Sequence, residues 1–437
     1  MTKAELKALV LETIDANRAS VMETAETIRK NPELGYKEYK TAQLIKDEFS
    51  KLGLTYEENL AVTGVKARVK GKTSKRTVGV FGEMDAVICP LHPYADASTG
   101  AAHACGHNFQ VSSMLGVAYG LLKSGAMQYL GGDVVFMGVP AEEMVELEFR
   151  SDLIDKGIIK YFSGKQEFLR TGVLDDVDMT MMVHAQANEP HSKAYLKGGS
   201  LGNVSKTMRF IGKEAHASRP FEGINALNAA TLAMSAIGLQ RETFRDEESI
   251  RIHPIITKGG DLVNVVPAEV KMETYVRGKT IDGIMSANRK VNRALKGAAY
   301  IIGCEVEINE FPGYLPLEQD VDMSELFKEN FISISSAENV IEGVDMVGST
   351  DMGDISQVLP SIHPSMGGFD GNLHSKEFGP TDEAAAYLEP AKAMALTIID
   401  LLWDDASAAE EICAKSNRMS KDVYFKLWED LTSSVQE

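Results

Sequence analysis

The chain has 437 residues, of which 44% are hydrophobic and 25% are charged, the balance of an ordinary soluble globular protein. At about 150 residues per domain, this length predicts two or three domains rather than one. The formal net charge of −18 repels phosphate backbones and anionic lipid, which argues against nucleic acids and membrane surfaces as partners. An anionic ligand would therefore need locally placed Arg or Lys.

The first 20 residues are charged throughout and show no basic segment followed by an apolar one, so no signal peptide is expected. No apolar run approaches the length of a membrane span. The cysteines are widely scattered in the chain, which is not typical of a disulfide framework and predicts a reducing, cytoplasmic location. They are Cys89, Cys105, Cys304 and Cys413.

In chain order, the opening 30 residues have helical periodicity, and a further helix is predicted over residues 38–51. Near-continuous apolar runs predict buried strands at residues 77–81, 133–139 and 179–183, as in a parallel sheet covered on both faces. A helix predicted over residues 108–123 separates the first two strands. This alternation predicts an α/β domain with βαβ-type units.

The segment from about residue 205 to residue 310 has a different pattern. Strands are predicted at residues 205–211, 249–256, 270–277 and 305–310, and helices at residues 225–238 and 281–295. This is the β-α-β-β-α-β order of a ferredoxin-like unit, which can stand as a separate domain. Later helical stretches are predicted near residues 384–402 and 409–431.

The predicted fold class is therefore α/β, with a mixed sheet covered by helices and an inserted ferredoxin-like α+β domain. The catalytic domain is assigned to residues 1–200 and 313–437, and the inserted domain to residues 201–312.

Residues suited to catalysis follow each predicted strand. Glu83 and Asp85 come after the first strand, Glu142 and Glu143 after the second, and His184 after the third. Ligands of open α/β sheets bind outside the carboxyl ends of the strands. Three strands are therefore expected to bring carboxylates and imidazole to one edge of the sheet.

The motif H-A-C-G-H-N at residues 103–108 adds a fourth contribution. Side chains at alternate positions of an extended segment point the same way, and thiolate and imidazole are ligands for zinc and its neighbours. A helix-entry loop with a buried cysteine explains the motif alone equally well. In combination with His184 and the strand-end carboxylates, the motif favours a metal site.

The adjacent acids Glu142 and Glu143 are costly to bury as bare charges. One can coordinate a metal, and the other can act as general base toward a water whose pKa the ion lowers. Taken alone, two solvated loop glutamates are the commoner arrangement.

His374 follows a glycine-rich loop, and a metal ligand and an exposed loop residue are equally good interpretations of it. The histidines near prolines are interpreted as structural or surface residues: His92, His191, His253 and His363.

Several segments together resemble a known family. They are N-P-E-L-G at 31–35, M-D-A at 84–86, H-A-C-G-H-N at 103–108, A-E-E at 141–143, G-K-E-A-H-A at 212–217, N-V-V-P at 264–267, V-R at 276–277 and L-H-S at 373–375. The combination resembles the co-catalytic metal aminoacylase and carboxypeptidase family. The most similar branch contains N-acyl-amino-acid and indole-acetyl-amino-acid amidohydrolases and p-aminobenzoyl-glutamate hydrolase. Asn108, where most of the branch has Asp, and G-S-T-D-M-G-D at 348–354 resemble the last of these most.

The resemblance implies a zinc-peptidase-like catalytic domain and an inserted domain that forms a homodimer. It also implies two divalent ions, zinc or manganese, held about 3.5–4 Å apart. The implied ligands are Cys105, His107, Glu143, His184 and His374.

Further roles follow from the same resemblance. Glu142 corresponds to the general acid/base, and Asp85 to a carboxylate that orients the metal site. His216 corresponds to a histidine that reaches the active site of the other subunit and stabilises the oxyanion. Asn264 and Arg277 correspond to residues that hold the carboxylate of the substrate, which an arginine fork suits.

The implied activity is hydrolysis of the amide bond of an N-acyl, aminobenzoyl or aminoacyl amino acid that has a free carboxylate. Three alternatives stay open: a dipeptidase of the same family, a metal-dependent hydrolase of another bond such as an ester, and a non-catalytic metal-containing binding protein. Two residues have no assigned role. Glu83 departs from the residue of many relatives, and Arg219 is either an anion contact or an exposed side chain.

Overall fold

The computed structural model describes residues 1–346 and 348–432, which form two compact units. The first unit consists of Met1–Gly199, Glu318–Asp345 and Asp354–Arg418. The second consists of Ser200–Leu317, Met346–Gly353 and the chain from Met419 onward.

The α-helices cover most of the segments that the periodicity predicts, with the first 30 residues divided between two helices at Asn17. In the described residues they are Lys3–Ala16, Arg18–Lys30, Tyr39–Lys51, His107–Lys123, Leu147–Asp155, Gly164–Thr171, Ala226–Leu239, Ile281–Ile302, Val321–Ile334, Met352–Val358, Glu389–Lys415 and Lys421–Thr432. The helix Glu389–Lys415 is interrupted by non-helical backbone at residues 403–406. None of them combines the length and the apolar character needed to cross a bilayer.

A mixed sheet forms the centre of the first unit. Its order in space is Tyr56–Leu60, Gly64–Val69, Asp133–Val139, Thr77–Glu83, Met179–Met181 and Ser361–Ile362. The last four strands are parallel, and the first two pair antiparallel. Every residue of the two central strands is buried, as expected for strands covered on both faces. The predicted mixed sheet covered by helices is confirmed.

A smaller sheet in the same unit has the order Val340–Glu342, Ala194–Leu196, Ser365–Met366 and His184–Ala185. The predicted strand at residues 179–183 is therefore wrong at its end. The strand in the main sheet stops at Met181, and His184 pairs in parallel with Ser365 in the smaller sheet. Two short antiparallel pairs complete the unit: Val87–Ile88 with Ala101–Ala102, and Phe369–Asp370 with Gly379–Pro380.

The second unit contains an antiparallel sheet in the order Arg251–Ile252, Glu269–Gly278, Gly202–Ile211 and Glu305–Pro312, and Ile255–Lys258 also pairs with the second of these. Numbered in chain order, with residues 251–258 counted as the second strand, the strands lie across the sheet in the order 2-3-1-4. Read from the opposite edge this is 4-1-3-2, so the predicted ferredoxin-like order is confirmed. Alternate residues of the long strands are buried, and their apolar side chains form one core with those of the two helices. The predicted strand at residues 249–256 is instead two short strands interrupted at residues 253–254.

The C-terminal part differs from the prediction in two ways. The helix predicted at residues 409–431 is broken, because the chain leaves the helix after Lys415 and a new helix starts at Lys421. This last helix contacts the strand Glu305–Pro312 of the second unit, where the Asn288 side-chain amide donates to the carbonyl of Leu431. The assignment of all residues 313–437 to the catalytic domain therefore does not match the two units.

Candidate metal centre

The carboxyl ends of the central strands place the acidic residues side by side. The parallel register aligns Glu83 with Val139, so both strands end at the same level of the sheet. Beyond Val139 the chain continues directly into Glu142 and Glu143. The predicted edge of the sheet is therefore where the carboxylates meet.

A glycine shapes the loop that carries the cysteine and histidine. Gly106 has φ +88° and stands directly before the helix His107–Lys123. A Cβ atom at this position would lie 2.9 Å from the Cβ of Ala185, the neighbour of His184. The backbone at Gly106 thus needs both positive φ and close approach, which glycine supplies, and it directs Cys105 and His107 to the same site.

The five implied ligands come together as two triads that share a cysteine. The first is Cys105, His107 and His184, and the second is Cys105, Glu143 and His374, with the donor atoms of each triad within 4.8 Å of one another. Cys105 Sγ lies 3.4 Å from His184 Nε2, and Glu143 Oε1 lies 3.1 Å from His374 Nε2. Because Cys105 belongs to both triads, its thiolate would be available to an ion at either one.

The donor atoms fit a bound cation. His107 Nε2 and Glu143 Oε1 are buried and have no hydrogen-bond partner. Unpaired buried polar atoms are costly, and coordination of an ion would satisfy them. Sulfur, imidazole and carboxylate together suit zinc and other first-row transition metals. The His374 side chain is 52% exposed, which leaves the second triad open to solvent.

Burial and the neighbouring charges shift the pKa values of these donor groups. Burial and the charge of Glu143 raise the pKa of the Cys105 thiol well above its ordinary value. Burial opposes ionisation of Glu143, but the neighbouring His374 imidazole outweighs it and leaves the pKa of the carboxyl below its ordinary value. Burial also lowers the pKa of His184, which favours the neutral imidazole that metals bind.

Asp85 holds two of the donor residues in position. Its backbone carbonyl lies 2.9 Å from His107 Nδ1, and its Oδ1 lies 3.3 Å from the same nitrogen. Its Oδ2 accepts a hydrogen bond of 2.9 Å from the backbone N–H of Glu143. These contacts leave His107 Nε2 free to face the site, and they support the predicted orienting role of Asp85.

The backbone just before Glu142 and Glu143 is strained and is fixed by hydrogen bonds. Ala141 has φ +56°, an unfavourable value for a residue with a Cβ. Its N–H donates to Glu38 Oε1 at 2.8 Å. Burial, with the charge of Asp85 adding to it, raises the pKa of Glu38 to about 8.

The fully buried guanidinium of Arg150 donates to the carbonyls of Glu143 and of Phe162.

Arg150 is expected to stabilise this segment. Arg150→Met should lower the free energy of unfolding by about 2–3 kcal/mol, since buried carbonyls lose a charged donor. Chemical denaturation of metal-free protein measures this effect. Arg219→Met is the control, because Arg219 is exposed and its ion pair with Glu222 should contribute less than about 1 kcal/mol. Equal stabilities for the two variants would contradict the role of Arg150.

Sequence reasoning missed one side chain at the site and gave no role there to two others. Lys165, fully buried, forms an ion pair with Glu83 Oε1, and no sequence feature indicates it. Glu83, which the sequence places after the first strand without an assigned role, has a side chain that is fully buried at the site. His363, interpreted as structural or surface, is buried with its ring 5.5 Å from that of His184, and neither ring nitrogen has a hydrogen-bond partner.

Three predicted residues belong to the second unit. His216 is exposed, with Nδ1 2.7 Å from Ser218 Oγ, and its backbone pairs with that of Val265, next to Asn264. Arg277 donates to Ser349 Oγ at 3.0 Å. Their participation in the active site stays a prediction.

Donor side chains gathered at the carboxyl edge of a mixed sheet form a candidate metal centre, in a chain that also holds a ferredoxin-like unit. The model of the peptidase family M20/M25/M40 matches residues 79–398, and the chain belongs to this family. It is therefore a metal-dependent enzyme that hydrolyses linear amide or peptide bonds.

Individual relatives agree with this assignment. The chain is 29% identical over 431 residues to Xaa-Arg dipeptidase of Homo sapiens, covering 92% of this chain and 90% of that protein. It is 26% identical over 354 residues to IAA-amino acid hydrolase ILR1-like 2 of Arabidopsis thaliana, covering 78% of this chain and 75% of that protein.

Solved structures share the fold. YXEP of Bacillus subtilis, described as a dinuclear metal-binding peptidase of the M20 family, superposes with a TM-score of 0.70 at 22% identity, covering 89% of this chain and 99% of that one. An aminobenzoyl-glutamate utilization protein of Klebsiella pneumoniae superposes with a TM-score of 0.65 at 16% identity, covering 90% and 98%.

Proposed function

We propose that the protein hydrolyses the amide bond between an acyl, aminobenzoyl or aminoacyl group and an amino acid with a free carboxylate. The observation that carries this proposal is the shared Cys105 of the two donor triads, with Glu142 Oε2 3.9 Å from His107 Nε2. A carboxylate next to a two-ion site, but outside both triads that contain Cys105, suits a general base.

The proposed ligands are Cys105, His107, Glu143, His184 and His374, and the proposed ions are zinc or manganese. Bound ions would acidify a water molecule and polarise the substrate carbonyl. The Glu142 carboxylate would accept a proton from the attacking water and deliver it to the nitrogen of the leaving amine. Asp85 would keep His107 and Glu143 in the orientation that this transfer requires.

Substrate recognition is assigned to the second unit on the strength of the family resemblance. Arg277 and Asn264 would bind the free carboxylate, and His216 would stabilise the oxyanion in the active site of the other subunit of a homodimer. The names of the two relatives fit this substrate class, because a dipeptide and an IAA-amino acid conjugate are both amides of an amino acid.

Two other functions receive different support. A dipeptidase is the second candidate, favoured by the match to Xaa-Arg dipeptidase over 92% of this chain. A non-catalytic binding protein is disfavoured, because Glu142 and all five proposed ligands are present and close together.

A substrate screen tests the proposal. The purified protein, loaded with zinc or with manganese, is incubated with N-acyl amino acids, p-aminobenzoyl-glutamate, dipeptides and the corresponding esters. We expect amide hydrolysis, with kcat/KM falling at least about tenfold when the carboxylate of the best substrate is converted to an amide, because an Arg–carboxylate contact is lost. Cleavage of esters alone, or equal rates with the blocked carboxylate, would contradict the proposed substrate class.

A further inference from the structure

A buried ion pair lies next to the first donor triad and has no part in the mechanism above. The side chains of Glu83 and Lys165 both have 0% exposed surface, and Lys165 Nζ contacts Glu83 Oε1. Burying two charges is favourable only when both are well paired. Lys165 compensates the charge of Glu83 and contacts one of its two oxygens, Oε1.

The other oxygen of Glu83 faces a metal-ligand atom. Glu83 Oε2 lies 3.1 Å from His107 Nε2, and both atoms are buried without a hydrogen-bond partner. Glu83, His107 and Glu142 have donor atoms within 4.8 Å of one another. An orphaned carboxylate oxygen is therefore directed at the nitrogen that the first triad uses.

The distance between Glu83 Oε2 and His107 Nε2 is that expected for two ligands of one ion. Bonds of about 2.0–2.2 Å arranged tetrahedrally place neighbouring N and O ligands roughly 3.3–3.6 Å apart, and a wider coordination shell brings them closer. The Glu83–His107 distance of 3.1 Å equals the Glu143–His374 distance of 3.1 Å within the second triad. By contrast, His107 Nε2 lies 3.9 Å from both Glu142 and Glu143.

We propose that Glu83 is a further ligand of the ion bound by Cys105, His107 and His184, and that Lys165 positions it through the other carboxylate oxygen. This inference rests on the proposed two-ion centre and adds a carboxylate to its first site. Each ion then has one carboxylate, from Glu83 at the first site and from Glu143 at the second. Lys165 offsets one of these two negative charges in the interior.

The test uses the double variant Glu83→Gln/Lys165→Met, which removes both charges together. Glu83→Gln alone would leave Lys165 buried without its full counter-charge, so the single variant is open to a folding defect. Thermal unfolding of the metal-free double variant establishes that it is folded. Zn²⁺ binding is then measured by competition with a chromophoric chelator, and the Co²⁺-loaded form is examined by visible absorption.

We expect wild type to bind two ions and the double variant to bind one of them at least about tenfold more weakly, since even partners of metal ligands contribute 10–100-fold. The Co²⁺ absorption of the affected site should intensify, because fewer ligands surround the ion. Unchanged affinity would overturn the inference. Weaker binding with an unchanged Co²⁺ spectrum would overturn it too, because Glu83 would then only orient His107.

A matched control is the second buried pair, Lys206 with Glu310, whose side chains are also 0% exposed and which lies in the second unit. Lys206→Met/Glu310→Gln should leave Zn²⁺ affinity and the Co²⁺ spectrum unchanged. Similar metal losses in both double variants would attribute the effect to general destabilisation and overturn the assignment of Glu83. Failure of the wild type to bind two ions would instead contradict the proposed function.

Discussion

Glu142→Gln is expected to reduce turnover by about 100- to 10,000-fold while both metal ions stay bound, because removal of a general acid/base costs that much. Glu142 lies 3.9 Å from His107 Nε2 but is absent from both triads that contain Cys105. Glutamine has nearly the same shape and cannot accept the proton of the attacking water. Turnover is measured on the best substrate from the screen, and metal content by elemental analysis.

The adjacent residue provides the matched control. Glu143→Gln removes a member of the second triad, so this variant should lose bound metal as well as activity. The two variants change the same chemical group one residue apart in the same buried segment. Near wild-type turnover of Glu142→Gln would exclude Glu142 as the base, and loss of metal from it would make Glu142 a ligand instead.

The site could be located from the sequence because its donors follow apolar strands. The apolar runs at residues 77–81 and 133–139 predict two strands. In the structure the carboxyl ends of these strands are aligned, with Glu83 beside Val139. The H-A-C-G-H-N motif adds Cys105 and His107 in one short loop. Short-range patterns of this kind are visible in a single sequence.

Other parts of the site depend on contacts between distant segments. No sequence feature singles out Lys165, which is fully buried in an ion pair with Glu83, 82 residues away in the chain. His363 follows a short strand beside a proline, and its contact with the ring of His184 arises from packing of the smaller sheet. The helix Lys421–Thr432 is amphipathic, which predicts a helix but not the unit that covers its apolar face.

Cys105 is shared by the two donor triads, so its substitution is expected to change the metal content more than that of any other proposed ligand. Cys105→Ala should abolish binding of at least one ion and weaken the other, because the sulfur belongs to both triads while every other proposed ligand belongs to one of the two. His184→Ala and His374→Ala, which each remove a ligand from a single triad, should affect one ion each. Elemental analysis after dialysis at fixed free Zn²⁺ gives the stoichiometry.

Cys89→Ala controls for the loss of a buried thiol. Cys89 is as buried as Cys105, at 7% against 6% exposed, and its Sγ lies 3.7 Å from the backbone carbonyl of His374 rather than from a donor atom. Both substitutions remove a small side chain from the same core cluster, so their cavity effects on stability should be similar. If Cys105→Ala kept two ions, as Cys89→Ala should, the sulfur would not be a ligand. The Cys105 thiol would then stay protonated, as its burial favours.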